Sequence, residues 1–280
     1  SDRESPRACR RAGIPYRSYG EWVENGARPG DPSVAQSDAL QGHIDPQYRG
    51  FDLDYSDLDR AQRLLAELKR FEKEGAMPRF QVVRLGNDHT QGTKAGALTP
   101  RSFVAQNDRA LGMVVEGVSH SRFWPSTAIF VIEDDAQNGP DHVDAHRTVA
   151  LAISPYVKRN SVDSTMYSTT SILRTIELIL GLPPMSQYDA AATPMFASFG
   201  IRPNLTPYTA LEARVSLTER NPPTAPGAQR SAEMNFYDAD AAPDIELNEI
   251  IWKSIKGKDS TMPAPVRSIF CAGVRSSKSR

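Results

Sequence analysis

The sequence predicts an α/β fold in which a mostly parallel β-sheet carries helices on both faces. Near-continuous apolar runs, typical of strands buried on both sides, occur at residues 80–85, 127–133 and 148–154. Amphipathic helical patterns separate these runs, and strands that alternate with helices favour parallel pairing. Loops that follow parallel strands gather at the carboxyl edge of the sheet, where we expect a binding site.

The first strand and helix signals come early in the chain. A short basic helix follows Pro6, and the alternating aromatics of YRSYGEW predict a strand that ends at Glu21. Residues 24–50 are rich in Gly, Pro and Asp and are expected to form a loop. Between Ser56, a capping residue, and Gly75, apolar residues recur at helical spacing and predict an amphipathic helix.

Two further helices have clear boundaries in the sequence. Thr99 and Pro100 resemble the N-cap and first residue of a helix, and a second helix is predicted from about Ser168 to Leu180, before Gly181.

The pattern weakens after residue 183, where Pro recurs. We expect residues 1–183 to form the α/β part and residues 184–280 to wrap the same domain as a Pro-rich segment. One late helix is predicted at residues 243–257.

Composition narrows the possible partners. The 33 basic and 34 acidic residues nearly cancel, so no field attracts nucleic acid to the molecule as a whole, and we expect no nucleic-acid partner. Cys9 and Cys271 are too few for a disulfide framework or a thiolate metal site, while a single bridge between them stays open. No apolar run approaches the roughly 18 residues of a membrane span, and no signal peptide opens the chain. Because the chain starts without Met, inside a helix-to-strand unit, we expect it to be a fragment.

Polar clusters follow three predicted strands. Glu21 ends the first strand, residues 87–89 (Asn-Asp-His) follow the second, and residues 133–135 (Glu-Asp-Asp) end the third. Residues 142–146, with His142 and His146 at their ends, precede the next strand and could return to the same edge.

The adjacent carboxylates Asp134 and Asp135 favour a metal site. In a site that excludes water, their repulsion would raise one pKa strongly unless a cation neutralised them. Oxygen and imidazole ligands without Cys suit Mg, Mn, Ca, Zn or Fe, and the sequence does not choose among these divalent metals. The alternative is a solvated acidic loop that caps the following element.

Other candidates have simpler interpretations. NDHTQG is also a plausible turn, and His43 and His120 are expected to be ordinary loop or helix-end histidines. The stretch YDADAAPDIELNE lacks the glycine and spacing of a calcium loop, so we interpret it as a solvated helix N-terminus. No phosphate-binding glycine loop, dinucleotide fingerprint, G-x-S-x-G elbow or H-E-x-x-H helix is present.

Three motifs carry a resemblance to a known family. They are LGNDHTQGT, IFVIEDDAQNGPDHVDAHRTVALAISPY and YSTTSILRTIELILGLPPMSQYDAAATPM, in the expected order. They resemble the C-terminal half of bacterial phosphoesterases related to acid phosphatases and phospholipases C, within the alkaline-phosphatase-like superfamily. The resemblance spans roughly residues 10–265 and is closest to members in which this part follows a β-propeller.

The resemblance implies roles for several residues. Members of the family hydrolyse phosphate esters by using a metal that binds the phosphate and a Ser or Thr that attacks phosphorus. By motif, Asp134 and Asp135 match the metal-binding carboxylates, and His89, with Asp88 beside it, matches the position that faces the phosphate.

Three further histidines are candidate site residues through the resemblance. His146 resembles the last active-site histidine of the superfamily, with His142 as the weaker alternative, and His43 is a weak candidate for phosphate binding.

The chain also departs from the resembled pattern. In the family, the nucleophile and the first metal-binding residues lie N-terminal to everything resembled here, so the nucleophile stays unknown and residues 1–183 are expected to be a partial phosphoesterase domain. The resemblance implies metal-dependent hydrolysis of phosphate monoesters or diesters, incomplete in this fragment. The alternative is a truncated, catalytically inactive phosphoesterase-like module.

The resemblance also implies the setting of the protein. It suggests a small phosphate ester or a phospholipid head group as substrate, a location outside the cytoplasm, and a possible upstream β-propeller in the full-length protein.

Overall fold

The computed structural model describes residues 4–133 and 148–263 and has a mixed α/β architecture. In these ranges the helices are α1 (Glu4–Ala12), α2 (Asp57–Glu74), α3 (Pro100–Ser119), α4 (Thr169–Leu180), α5 (Gln187–Ala191), α6 (Ala228–Ala232) and α7 (Asp244–Lys256). The strands are β1 (Tyr16–Tyr19), β2 (Val23–Glu24), β3 (Val34–Ala35), β4 (Phe80–Val83), β5 (Ile129–Ile132) and β6 (Ala150–Ile153). Within the same residues, no helix is both long and apolar enough to cross a membrane.

The long helices form where their capping residues predict them. The Ser56 hydroxyl accepts a hydrogen bond from the Leu58 amide at 3.1 Å and starts α2, which ends at Gly75 with φ 80°. The Thr99 hydroxyl accepts from the Ser102 amide at 3.2 Å and starts α3. These caps satisfy amide groups that have no partner inside the helix, so the predicted boundaries of α2 and α3 are confirmed.

β1 and β4 form a parallel pair, in register from Tyr16 opposite Phe80 to Tyr19 opposite Val83. The chain crosses from one strand to the other through α2, as a parallel connection requires. Both strands therefore end at the same edge, where Glu21 and residues 87–89 follow them. The predicted convergence of these two polar clusters is confirmed.

β5 and β6 differ from the predicted sheet. They pair antiparallel, with Ile129 opposite Ile153, and the described strands form three separate two-stranded sheets of which only β1–β4 is parallel. Ile132 is 37% exposed and Leu151 is 42% exposed, so this apolar run is not buried on both faces within the described residues. An apolar run suits a half-exposed strand equally well and carries no information about strand direction. The prediction of a mostly parallel sheet is therefore wrong for the β5–β6 pair.

One core cluster holds α2 and α3 against β1. The side chains of Tyr19 and Tyr48 are fully buried and meet edge to face, with ring centroids 5.6 Å apart. Ala61 and Leu64 of α2 and Ala110 and Val114 of α3 complete the cluster. The packing of both helices on β1 places the start of α2 close to the chain that leaves β4.

A pair of buried carboxyl groups joins α4 to α5. Asp189 accepts hydrogen bonds from the Met185 amide at 2.6 Å, from the Ser186 amide at 2.7 Å and from the Ser186 hydroxyl. Burial raises the pKa of Asp189, but the hydrogen bonds from Glu177, Ser186 and Met185 outweigh burial and lower it below its ordinary value. Burial, followed by the neighbouring Asp189, raises the pKa of Glu177 to about 7, so Glu177 keeps its proton at pH values at which an ordinary Glu is ionised.

This pair makes the stability of the protein depend on pH. The folded Glu177 binds its proton more tightly than an ordinary Glu with a pKa of 4.5, so its contribution is present below about pH 4.5 and is lost as the pH rises to about 7. In the unmodified protein we expect the loss of this contribution to lower the free energy of unfolding by up to about 3 kcal/mol between about pH 4.5 and pH 7. Glu177→Gln should abolish this decrease, as measured by urea denaturation. The control is Glu249→Gln, an exposed residue of α7, which should keep the decrease. An unchanged pH slope in Glu177→Gln would contradict the assignment.

Candidate functional site

The loop after β4 is anchored by the buried carboxylate of Asp57, the first residue of α2. Asp57 is 0% exposed and accepts the Gly86 amide at 3.0 Å and the Asn87 amide at 2.8 Å. The side-chain amide of Asn107 in α3 donates to the same carboxylate at 3.0 Å. One carboxylate thus joins α2, α3 and the backbone that leads to Asp88 and His89.

Arg60 neutralises the Asp57 carboxylate. Its guanidinium donates to Asp57 at 2.8 Å and is itself only 1% exposed. The guanidinium also donates to four backbone carbonyls at 2.6–3.0 Å, those of Arg49, Gly50, Asp52 and Tyr55. This buried charge pair is stable because both partners are saturated with hydrogen bonds.

Asn87 fixes the same loop from the α3 side. Its side-chain amide donates to the side-chain carbonyl of Gln106 at 3.1 Å, and the side-chain NH2 of Gln106 donates to the Leu217 backbone carbonyl at 2.7 Å. Asn87 is 1% exposed, so it acts as a structural connection to α3 and the C-terminal segment. His89 then follows a backbone held from both sides.

His89 lies between two carboxylates. Its Nδ1 is 3.1 Å from Asp88 Oδ1, and its Nε2 is 3.4 Å from Asp240 Oδ1. The imidazole also meets the edge of the Phe51 ring, with centroids 5.3 Å apart. All three polar side chains are partly open to solvent, with 21% exposure for His89, 27% for Asp88 and 34% for Asp240. A ligand could therefore reach the imidazole.

Asp88 is held in its ionised form. Burial raises its pKa, but the hydrogen bond from His89 and the charge of that imidazole lower the pKa by a larger amount. The net pKa of Asp88 therefore lies below its ordinary value. An ionised carboxylate next to Nδ1 favours a proton on that nitrogen and fixes the orientation of the ring. Nε2 is then the nitrogen that faces away from Asp88.

Glu21 reaches the same edge through Arg84. The Arg84 guanidinium is 3.4 Å from the Glu21 carboxylate and lies over the Phe51 ring, 5.1 Å from its centroid. Phe51 in turn contacts His89. The polar residues after β1 and β4 are therefore joined in one row at the carboxyl edge of the parallel pair.

His43 lies at the other end of this pair. Its ring stacks on Tyr16, the first residue of β1, with centroids 4.1 Å apart, and its Nδ1 is 3.2 Å from the Tyr16 carbonyl. At about 3.3 Å per residue, the length of β1 separates this position from the edge where His89 lies. The structure does not bring His43 and His89 together, and the phosphate-binding role of His43 stays a prediction.

The remaining predicted site residues are not placed by the structure. Asp134, Asp135, His142 and His146 lie outside the described residues. Glu133, just before them, accepts a hydrogen bond from the Thr148 hydroxyl at 2.9 Å beside the β5–β6 pair. Their assigned roles therefore stay predictions.

The described residues contribute two carboxylates that the sequence analysis missed. No sequence motif singles out Asp57, and Asp240 falls in the stretch YDADAAPDIELNE, which we interpret as a solvated helix N-terminus. The pair Asp57 and Arg60, three residues apart at the start of a helix, is common on exposed helices and gives no signal of burial. For Asp240 no local signal exists, because its partner His89 is far away in the sequence.

The comparison with protein families decides how this arrangement is interpreted. A model of the Phosphoesterase family matches residues 10–183, which is more than half of the chain. The chain belongs to the Phosphoesterase family. No curated protein matches it significantly. The match includes Glu21, Asp57 and His89 of this phosphoesterase, whereas Asp240 lies beyond its end.

The described part of this phosphoesterase does not by itself make a metal centre. Within residues 4–133 and 148–263, no group of three or more His, Cys, Asp or Glu side chains is arranged to hold a metal ion. The predicted ligands Asp134 and Asp135 are outside those ranges, so the described geometry does not test their fit to a metal.

Removal of the Asp57 carboxylate should destabilise the protein and release the loop. We expect Asp57→Ala to lower the free energy of unfolding by about 3–5 kcal/mol, because it leaves the buried Arg60 without its counter-ion. Hydrogen exchange at the Gly86 and Asn87 amides should accelerate as well. The control is Asp59→Ala, an exposed acidic residue in the same helical turn, which should cost less than about 1 kcal/mol. Equal losses in the two variants, measured by urea denaturation, would contradict the anchoring role.

Proposed function

We propose that this phosphoesterase hydrolyses phosphate monoesters or diesters with the help of a divalent metal ion. The observation that carries the proposal is the position of His89. It lies inside the family match, at the carboxyl edge of a parallel strand pair, with an ionised carboxylate on its Nδ1. An imidazole held in this way is suited to contact a phosphoryl oxygen or to transfer a proton through Nε2.

Asp88 is the positioning residue in this proposal. Its carboxylate accepts from Nδ1 of His89 and stabilises the protonated imidazole when charge develops. Asp57 keeps the backbone of residues 86 and 87 in place, so the ring is presented from a rigid support. The proton that His89 donates to a leaving group, or takes from a nucleophile, would move at Nε2.

The metal part of the proposal rests on the sequence. Asp134 and Asp135 would hold the ion, with His146 as a further catalytic histidine and His142 and His43 as weaker phosphate contacts. A bound divalent ion supplies charge stabilisation for phosphoryl oxygens and lowers the pKa of a coordinated nucleophile.

The finer assignments belong to the same proposal. We infer an alkaline-phosphatase-like domain with residues 1–183 as its partial α/β part and residues 184–280 as its wrapping segment. A small phosphate ester or a phospholipid head group is the substrate, the protein acts outside the cytoplasm, and the full-length protein carries an upstream β-propeller. The motifs quoted above support these assignments through the resemblance that they carry.

The alternative is a phosphoesterase-like module without catalysis. No Ser or Thr of this chain matches the nucleophile motif of the resembled enzymes. The two readings differ in what the folded protein does with metal and substrate, so one set of assays separates them.

The proposal predicts activity that depends on metal and on His89. The 280-residue sequence, preceded by a segment that supplies the nucleophile of the resembled enzymes, is loaded in turn with Mg, Mn, Ca, Zn and Fe and is assayed with p-nitrophenyl phosphate and bis(p-nitrophenyl) phosphate, with and without EDTA. We expect His89→Gln to lower kcat/KM by about 10²-fold or more, because it removes a proton-transferring group. We expect Asp134→Ala/Asp135→Ala to abolish the metal dependence together with most of the turnover.

The matched control is His120→Gln. His120 is exposed at the end of α3, where its Nδ1 lies 2.8 Å from the Glu116 carbonyl, and its replacement should leave kcat/KM unchanged. Full activity in His89→Gln, or turnover that resists EDTA, would refute the corresponding part of the proposal. A folded protein that binds metal but turns over neither substrate would favour the inactive module.

A further inference from the structure

Asp240 occupies the side of His89 that Asp88 leaves open. Its Oδ1 is 3.4 Å from Nε2, the nitrogen through which the proposed chemistry would act. Carboxylates thus face both ring nitrogens of His89, and each can accept a hydrogen bond from a nitrogen that carries a proton. A phosphoryl oxygen that binds the same Nε2 would need the place that the Asp240 carboxylate now fills.

Asp240 belongs to a loop whose flanking helices are joined by an ion pair. We call residues 233–243, which join α6 to α7, the strap. Its two ends are closed by the ion pair of Arg230 in α6 and Glu246 in α7, with nitrogen–oxygen distances of 2.6 and 2.9 Å. This pair is bidentate, a geometry that holds the two helices in one orientation. The strap is therefore a closed loop that presents Asp240.

Helix α6 and the turn before it, which lead into the strap, are attached to the loop that carries His89. The Thr93 amide donates to the Ser231 hydroxyl at 3.1 Å, and the Thr93 hydroxyl donates to the Pro226 carbonyl at 2.7 Å. Between Thr93 and His89 lies Gly92, where a Cβ would come within 2.7 Å of the Ser231 oxygen. Gly92 also has a φ of +55°, so a larger residue would be strained here and would push the Ser231 and Leu247 side chains away. The loop after β4 and α6 are therefore closely packed.

The backbone of Asp240 is in an unfavourable conformation. Its φ is +60°, a left-handed value that costs non-glycine residues energy and that Asp and Asn tolerate best. The turn before it is held by the Asn235 side chain, which accepts the Tyr237 amide at 2.9 Å. The strap thus keeps a residue in a strained conformation with its carboxylate beside Nε2 of His89.

We propose that Asp240 is a further residue of the phosphoryl site, an internal carboxylate that competes with phosphate for Nε2 of His89. The inference rests on the proposed function for its substrate class. Substrate displaces the carboxylate when it binds, and the carboxylate returns when product phosphate leaves. The Asp240 carboxylate and a phosphate beside the same nitrogen are both anions and repel each other. Asp240 therefore weakens the binding of free phosphate and favours its release.

The test measures the binding of inorganic phosphate to the full chain at one fixed pH. Histidine labelled with ¹⁵N reports on the imidazole of His89, which His89→Gln assigns by loss of its signals. We expect phosphate to shift the Nε2 resonance of His89, with a dissociation constant about fivefold lower in Asp240→Asn than in the unmodified protein. Asn keeps the shape and tolerates the left-handed backbone, so this variant isolates the charge.

Two further variants make the result specific. Asp238→Asn removes the same charge from an exposed position of the same strap and should leave the dissociation constant unchanged. Asp240→Gly removes the side chain, keeps the positive φ without strain and should tighten phosphate binding as Asp240→Asn does.

The outcomes separate this inference from the proposed function. Tighter phosphate binding in both Asp240 variants supports the competition even if no ester is hydrolysed, in which case only the proposed function fails. Unchanged or weaker binding overturns the competition even if hydrolysis is intact, and so does a His89 resonance that phosphate does not move. Equal tightening in Asp238→Asn also overturns it, because the effect would then be one of net charge.

Discussion

The Asp57 carboxylate is the interaction on which the rest of this site depends. It receives two backbone amides of the loop after β4, a side-chain amide of α3 and the guanidinium of Arg60, and it is completely buried. A buried charge with this many donors is stable only while every donor stays in place, so the loop, α3 and the start of α2 form one unit. The imidazole of His89 inherits its position from that unit, two residues beyond the last anchored amide.

Two parts of the chain therefore meet at His89. One part, inside the family match, supplies the rigid edge with Glu21, Arg84 and Asp88. The other part lies after residue 183 and supplies Asp240 through the strap, which follows α6, where Ser231 binds Thr93. The first arrangement orients the ring, and the second determines what else can approach Nε2. A family match that ends at residue 183 thus does not describe everything that touches the proposed site.

Local information predicted the helices well. Ser56, Thr99 and Gly181 are signals that act within a few residues, and α2, α3 and α4 begin or end where those signals lie. Strand direction was harder, because the apolar run of β5 is compatible with either direction and with partial exposure. Asp57 and Asp240 were missed because burial and long-range contact leave no trace in neighbouring residues. The convergence of Glu21 and His89 was predictable, since it needs only two parallel strands.

The attachment of Thr93 to Ser231 joins positions 138 residues apart and has a consequence for how the protein is made. Contacts between such distant positions close late, because the chain must first pay the entropy of a long loop. During synthesis, the β1–β4 edge can fold well before α6 and α7 leave the ribosome. A nascent chain would then hold His89 on its rigid edge before Asp240, which lies beside Nε2 in the folded protein, has been synthesised.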